Sequence, residues 1–167
     1  MKKIIISAEM PENMADKLRE LFPYEIKTCE KNSIFDDAVA CHPDMNFFQI
    51  GNNLFTFFDV QNNENVNIHI NDAGKLEYPN DVFLNAVCIG EDLICRTSSV
   101  YKKALDHAKS NGMNIINVNQ GYVKCNIAVV NEENRAVITE DKGIYKILME
   151  NGYDVMLLET HSVELKP

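Results

Sequence analysis

The sequence predicts an α/β fold in which a unit of two strands, a helix and a third strand is repeated along the chain. In each of three segments an asparagine stands five residues before a glycine or asparagine turn, and a β-branched residue directly precedes that turn. The asparagines are Asn46, Asn85 and Asn126, about 39 and 41 residues apart, and a second apolar run follows each segment. A fixed period near 40 residues is typical of propellers and repeat arrays. We therefore expect an α/β-propeller-type array with about three full units and partial ends.

The chain begins with elements that we expect to form a strand, a helix and a strand. Residues 3–7 are apolar and indicate a buried strand. Pro11 suits the first turn of a helix, and apolar residues recur at helical spacing until Pro23 stops the helix. Residues 24–29 then predict a second strand, whereas residues 31–41 give no clear preference for helix or strand.

Three hairpins are expected around the repeated asparagines. The first two are turned at residues 51–53 and 90–92. Between these two hairpins, the Asn-rich residues 59–65 predict a loop and residues 66–70 predict a strand. The third hairpin follows residues 120–124.

Two further helices are predicted, one after the second hairpin and one after the third. Ser98 or Ser99 is placed to cap the first of them, and Gly112 suits the position just past its end. Thr139 is placed to cap the second, which we expect Gly152 to end. A strand is predicted after each helix, at residues 115–118 and 155–158.

The repeat also predicts that this single domain, residues 1–167, has an open side. A fourth hairpin falls due near residue 166, and extrapolation backwards places another near residue 6, where only one strand is expected. A repeat unit cannot bury its apolar face without neighbours. We therefore expect the chain to be truncated at its C-terminal side, as part of a longer gene product, or to self-associate or pair with a partner that covers the open side.

Composition and charge narrow the function classes. A hydrophobic fraction of 46% is enough for a substantial core, while a net charge of -9 argues against binding nucleic acid through its phosphates. The five cysteines show no C-x-x-C spacing, which favours reduced thiols over disulfides or a zinc site. The sequence contains no phosphate-loop motif, no signal peptide and no apolar run of about 20 residues. We expect a cytoplasmic protein with no membrane partner, no metal and no cofactor.

Several segments, in order along the chain, carry a resemblance to a known fold. They are His42-Pro-Asp44, Tyr78-Pro-Asn-Asp-Val-Phe-Leu-Asn85, Gln120-Gly-Tyr-Val-Lys-Cys125 and Ile138-Thr-Glu-Asp-Lys-Gly-Ile144. From about residue 40 to its end, the chain resembles an uncharacterised bacterial family assigned to the pentein, or guanidino-group-modifying enzyme, fold. The resemblance implies a five-bladed α/β propeller in which ββαβ units surround a central channel.

The enzymes of that fold include arginine deiminases, dimethylarginine hydrolases, amidinotransferases and agmatine deiminases. As the resemblance implies, a cysteine attacks the guanidinium carbon with help from a histidine, while carboxylates hold the guanidinium. The fold also includes the ribosome anti-association initiation factor, which is not catalytic. Two hypotheses therefore stay open. One is a protein that binds or hydrolyses a small guanidinium compound such as an arginine derivative. The other is a non-catalytic module that docks a macromolecular partner.

Three residues are candidates for the chemistry that the resemblance implies. His42 would act as an acid or base, and Asp44 would hold the cation at the channel mouth. Alternatively, Asp44 caps a turn and His42 packs on a loop. Cys125 is the candidate nucleophile, because the adjacent Lys124 would lower the pKa of its thiol. The alternative for Cys125 is a buried and unreactive thiol.

The repeated asparagines and one further carboxylate complete the candidate substrate-binding residues. Because Asn46, Asn85 and Asn126 share one register, they either bond backbone groups within each unit or contact a ligand in the channel. Asp81 precedes the second copy of the repeat. It is the candidate for a second channel carboxylate beside Asp44.

Overall fold

The computed structural model describes residues 3–59 and 66–159, in which short strands and helices form four separate small sheets. The strands are β1 (Lys3–Ser7), β2 (Glu25–Cys29), β3 (Phe47–Ile50), β4 (Asn53–Thr56), β5 (Val66–His69), β6 (Val87–Ile89), β7 (Asp92–Cys95), β8 (Asn114–Asn117), β9 (Ala128–Asn131), β10 (Ala136–Thr139) and β11 (Asp154–Leu157). The helices are α1 (Glu12–Leu21), α2 (Pro43–Asn46), α3 (Lys102–Ser110), α4 (Val123–Asn126) and α5 (Lys142–Glu150). In this described part of the chain, no helix has the length and apolar character needed to cross a membrane.

Three of the four sheets share one topology, and we number the four sheets as units along the chain. Unit II is β3–β4–β5, unit III is β6–β7–β8 and unit IV is β9–β10–β11. In each, an antiparallel hairpin is followed by a strand that runs parallel to the second strand of the hairpin. Unit I is the parallel pair β1 and β2, with α1 between them in sequence.

The prediction of a mixed α/β fold with a recurring hairpin, helix and strand is confirmed in units III and IV, which contain α3 and α5. In unit II, the described residues between β4 and β5 contain no helix. Most of the loop predicted at residues 59–65 and the hairpin predicted near residue 166 lie outside the described residues.

The hairpin turns lie where the repeat pattern predicts them. Gly51 and Gly90 have φ angles of 56° and 57°, in the left-handed region that glycine adopts without a Cβ clash. In unit IV the turn is longer, and Arg135 takes a left-handed conformation with φ of 52°. The register of that hairpin shifts between Ala136 and Val137. The first two hairpins, with their short glycine turns, keep an unbroken register.

The predicted helix caps are wrong at both positions. α3 begins at Lys102 rather than directly after Ser98 or Ser99, and no side chain caps it. α5 is capped by Asp141, whose carboxylate accepts hydrogen bonds from two backbone N–H groups of the first turn. Thr139 instead ends β10. Asp141 caps α5 instead of Thr139 because it directly precedes the helix, where a capping side chain contributes about 1 kcal/mol.

Two apolar clusters form the core, and each joins two consecutive units. The first combines Phe55 of unit II with Ala108 of α3 in unit III. The second combines Ile94 of unit III with Leu148 of α5 in unit IV. All four side chains are fully buried, and burying a large apolar side chain stabilises the fold by about 1.5–3 kcal/mol. The helix of each of these two units therefore packs with the sheet of the unit before it.

A buried carboxylate adds a polar link between units III and IV. Asp92 is 1% exposed, and its Oδ2 accepts a hydrogen bond from the Tyr153 hydroxyl at 2.6 Å. The Arg135 guanidinium lies 3.0 Å from the same oxygen, and Asn114 donates to Oδ1 at 2.9 Å. Burial and then the hydrogen bond to Asp92 raise the pKa of Tyr153 above its ordinary value. The buried charge of Asp92 is thus paired and fully hydrogen-bonded.

Candidate functional site

Two of the three repeated asparagines bond backbone groups inside their own units. Asn46 and Asn126 end the four-residue helices α2 and α4. Each donates from Nδ2 to the carbonyl oxygen four residues earlier, His42 O at 2.9 Å and Tyr122 O at 2.8 Å. These bonds close the short helical turns that lead into the first strands of units II and IV. Asn46 is also completely buried, so a ligand in solution does not reach it.

Asn85 has the same position in unit III but bonds to both neighbouring units. Its Nδ2 donates to Asp44 Oδ2 in the lead-in to unit II at 3.0 Å and lies 3.4 Å from the sulfur of Cys125. Its Oδ1 accepts from the backbone N–H of Lys124 at 2.6 Å. With only 1% of its surface exposed, Asn85 holds the lead-ins of three units together.

The carboxylate of Asp44 and the thiol of Cys125 meet next to Asn85. The sulfur of Cys125 donates to Asp44 Oδ2 at 3.0 Å, although the two residues are 81 positions apart. They meet because each lies one or two residues before a repeated asparagine, and those asparagines occupy adjacent places in successive units. Cys125 remains exposed to solvent, so the pair lies at the protein surface.

Lys124 acts on the pKa of the Cys125 thiol in the expected direction, but causes that raise this pKa outweigh it. Burial of the thiol on its inner side and then the negative charge of Asp44 raise the pKa of Cys125 to about 12. Lys124 lowers this pKa, but by less than those two causes raise it. In the free protein, Cys125 is therefore a hydrogen-bond donor rather than a nucleophilic thiolate.

The Lys124 amine binds main-chain carbonyl groups at the junction of the units. Its Nζ donates to Phe47 O at 2.6 Å and to Asp44 O at 3.2 Å, and it lies 4.9 Å from the ring centre of Phe48. Burial lowers the pKa of Lys124 to about 8, although the charge of Asp44 opposes the shift. The amine is thus used to satisfy backbone carbonyls of unit II and its lead-in.

Among the described residues, neither the His42 ring nor the Asp81 carboxylate is hydrogen-bonded to the Asp44–Cys125 pair. Asp81 is 3% exposed, and its Oδ1 accepts a hydrogen bond from the Tyr122 hydroxyl at 2.7 Å. Asp81 therefore serves a contact between units III and IV. In the described part of the chain, the ring of His42 makes no hydrogen bond to Asp44 or Cys125.

A cavity of about 390 Å³ lies beside Cys125 at the unit IV end of the array. Polar groups from Tyr122, Cys125, Asn126 and Glu140 line it. The remaining lining is mainly apolar and includes Leu158. A small number of polar groups on a partly apolar wall is typical of small-molecule sites, which span roughly 300–1,000 Å³.

Other cavities contain fewer of the residues that the sequence singled out. One of them, of about 500 Å³, lies between the hairpin turns of units II and III and is lined by Gly51, Gly90, Glu91 and His107. It contains none of the candidate site residues. The cavity beside Cys125 contains two of them, Cys125 and Asn126, and is therefore the better candidate site.

Sequence reasoning missed the part that Glu140 and Tyr122 play in the lining of this cavity. Tyr122 lies four residues before Asn126, the same repeat position that His42 and Asp81 occupy before their asparagines. That shared position was the available signal for Tyr122. Nothing local in the sequence distinguishes Glu140, which the fold brings to the cavity after β10.

The model of a family of unknown function, DUF6873, matches residues 5–167, which is nearly the whole chain. No curated protein and no solved structure matches the chain.

Proposed function

The chain belongs to the DUF6873 family, whose function is unknown, and we propose that it binds a small guanidinium or amine cation in the cavity beside Cys125. The observation that carries the proposal is the hydrogen bond at 3.0 Å between the Asp44 carboxylate and the sulfur of Cys125, which lines this cavity. Glu140 is also among the lining residues. Carboxylates match a planar cation with several N–H donors, and the net charge of -9 favours the approach of such a ligand.

Asn126 supports the proposal with an additional acceptor. Its Nδ2 donates to Tyr122 O, whereas its Oδ1 accepts no hydrogen bond from the described residues. Because Asn126 lines the cavity, this oxygen is available to an N–H group of a ligand. The apolar wall that includes Leu158 would then contact the aliphatic part of an arginine-like compound.

We further propose that the units are arranged around a common axis, as in a pentein-type propeller. The shared topology of units II, III and IV supports this arrangement. So do the contacts of Asn85 with Asp44 and Cys125, because side chains from three successive units meet at one place. The cavity would then lie next to the axis, where ligands of such folds are expected.

Binding without turnover fits the geometry better than hydrolysis does. Attack on a guanidine carbon needs a thiolate, and the pKa of Cys125 is raised to about 12. The thiol donates a hydrogen bond to Asp44, and the ring of His42 makes no hydrogen bond to either residue in the described part of the chain. A module that only docks a macromolecule predicts no ligand-sized polar cavity, so the cavity beside Cys125 favours a small ligand over that hypothesis.

Calorimetric titration with arginine, agmatine and methylated arginines tests the proposal. We expect at least one of them to bind, and Glu140→Gln to weaken that binding about tenfold or more, as loss of a charge-assisted contact does. Glu91→Gln is the matched control, because it removes the same charge from the exposed hairpin turn of unit III. Absence of binding by all three compounds, or equal weakening by both variants, would contradict the proposal.

Turnover is measured in the same samples by mass spectrometry of the compounds after incubation. We expect no ureido product at neutral pH. A citrulline-type product that disappears in Cys125→Ala would instead support the hydrolase hypothesis.

A further inference from the structure

The units of this chain pack with one polarity, and that polarity defines what each end of the array is missing. α3 of unit III shares an apolar cluster with the sheet of unit II, and α5 of unit IV shares one with the sheet of unit III. Each of these sheets is therefore covered by the helix of the next unit. The sheet of unit IV is the last in the described chain, and α1 of unit I is the first helix.

The sheet of unit IV exposes apolar residues at positions that the other units bury. Val130, four residues after Asn126, is 62% exposed. The equivalent residues Ile50 and Ile89, four residues after Asn46 and Asn85, are 3% and 1% exposed. All three residues are β-branched and aliphatic, and Val130 lies where the register of the unit IV hairpin shifts.

The third strand of unit IV gives the same result. Met156 pairs with Ile138 in the register by which Ile116 pairs with Ile94 in unit III. Met156 is 60% exposed, whereas Ile116 is buried. Leu158, which follows β11 and lines the cavity beside Cys125, is also exposed, so a copy packed on this surface would cover that cavity. The bare surface thus extends across the sheet from β9 to β11.

At the other end of the array, α1 exposes the face that α3 and α5 bury. Met14 is the third residue of α1 and is 52% exposed. The third residues of the other two helices, Ala104 and Ile144, are fully buried. Leu21, at the end of α1, is 71% exposed. The first helix therefore has an apolar face with no sheet against it.

We propose that α1 of one copy packs on the β9–β10–β11 sheet of a second copy, so that the chains associate head to tail. The two bare surfaces are of the kinds that already meet at the junctions of units II and III and of units III and IV, namely a helix face and the sheet of the unit before it. Their exposed side chains are aliphatic on both sides, so their burial is favourable. A contact between two different surfaces of the same chain is heterologous, and it closes into a ring or continues as an open chain of copies.

Sedimentation velocity of the full chain tests the proposal. We expect the wild-type protein to form complexes larger than the 19.0 kDa chain as its concentration is raised. Leu21→Glu removes the apolar helix face, and Val130→Glu removes the apolar sheet surface. Each variant alone is expected to stay monomeric. Tyr78→Glu is the matched control, because it places the same charge at an exposed aromatic residue outside both surfaces and leaves association intact.

A mixture of the two end variants separates this arrangement from a symmetric dimer. The Leu21→Glu chain keeps an intact sheet and the Val130→Glu chain keeps an intact α1, so the mixture is expected to form a complex of one copy each. Circular dichroism confirms that each variant is folded. A wild-type protein that stays monomeric at every concentration would overturn the proposal. Association that only one of the two variants abolishes, or a mixture that stays monomeric, would overturn it as well.

Discussion

Lys124 donates from Nζ to the main-chain oxygen of Phe47 at 2.6 Å, although the two residues belong to opposite ends of a three-unit stack. Lys124 lies in the lead-in to unit IV and Phe47 opens β3 of unit II. Between them, Asn85 of unit III accepts from the backbone of Lys124. One lysine therefore spans the whole stack. Its amine is a structural group of the junction rather than an activator of the neighbouring thiol.

Replacing Lys124 with methionine is expected to destabilise the protein by about 1–3 kcal/mol, because two carbonyl oxygens lose their donor while the side-chain volume is kept. Urea denaturation measures the change. Lys109→Met, on the exposed side of α3, is the control and is expected to have little effect. Equal stability of the two variants would show that solvent replaces the lysine at no cost.

The stability contributed by Lys124 is expected to depend on pH. Its pKa is lowered to about 8 in the folded protein, against an ordinary value of 10.5. Between these two pH values the unfolded chain holds a proton that the folded chain has released. The contribution of Lys124 to the free energy of unfolding therefore increases as pH rises. Urea titrations of wild type and Lys124→Met at several pH values from 7.5 to 10.5 measure the difference. We expect the free energy of unfolding of wild type to increase relative to that of the variant as pH rises. A difference that stays constant would contradict the prediction.

The reactivity of Cys125 is expected to be low and to depend on Asp44. Alkylation by iodoacetamide requires the thiolate, which burial and the charge of Asp44 disfavour. Asp44→Asn removes the charge and keeps the shape, so we expect alkylation at pH 8 to become several-fold faster. Peptide mass mapping assigns the modified cysteine. Asp106→Asn, which removes an exposed carboxylate on α3, serves as the control. A rate that is the same in both variants rules out this role for Asp44.

Asp92 is expected to be among the most important polar residues for stability. Asp92→Ala leaves the buried Tyr153 hydroxyl without its acceptor and removes the partner of the half-exposed Arg135 guanidinium, which we expect to cost about 1–3 kcal/mol. Thermal and urea denaturation measure the loss. Asp154→Ala, at the exposed start of β11, removes the same group where it is solvated and is expected to cost under about 1 kcal/mol.

The three repeated asparagines are expected to differ in importance in spite of their shared register. Asn85 bonds to residues of both neighbouring units, whereas Asn126 bonds only within its own turn among the described residues. Asn85→Ala should therefore destabilise the protein by about 1–3 kcal/mol, and Asn126→Ala by less. Urea denaturation of the two variants compares them directly. Equal losses would mean that the asparagines act only within their own turns.

The recurring segments were predictable because they are local. The pattern of Ile50 before Gly51 and of Ile89 before Gly90 specifies both a strand end and a turn within a few residues. The hairpins of units II and III consequently lie where the sequence predicts them. Helix caps were less predictable, because several polar residues compete for the position and only Asp141 has the geometry that succeeds.

The candidate site was predictable only in part, because side chains from different units assemble it. The sequence singled out Asp44, Asn85 and Cys125, which do meet. The sequence did not show that the Asp81 carboxylate accepts a hydrogen bond from the Tyr122 hydroxyl, since that bond joins residues 41 positions apart. Side-chain direction across a junction depends on how the units stack, and the periodicity of one chain does not contain that information.

Because a helix packs on the sheet of the unit before it, the apolar face of that sheet is buried only when the next unit is folded against it. Unit III is enclosed on both sides, whereas the sheet of unit IV and the helix of unit I each lack a neighbour within the described chain. In such a linear array each unit is stabilised by its neighbours. Local unfolding is therefore expected to begin in the terminal units and to reach the central unit last. The backbone amides of β7, in the middle, should accordingly be the last to exchange their hydrogens with solvent.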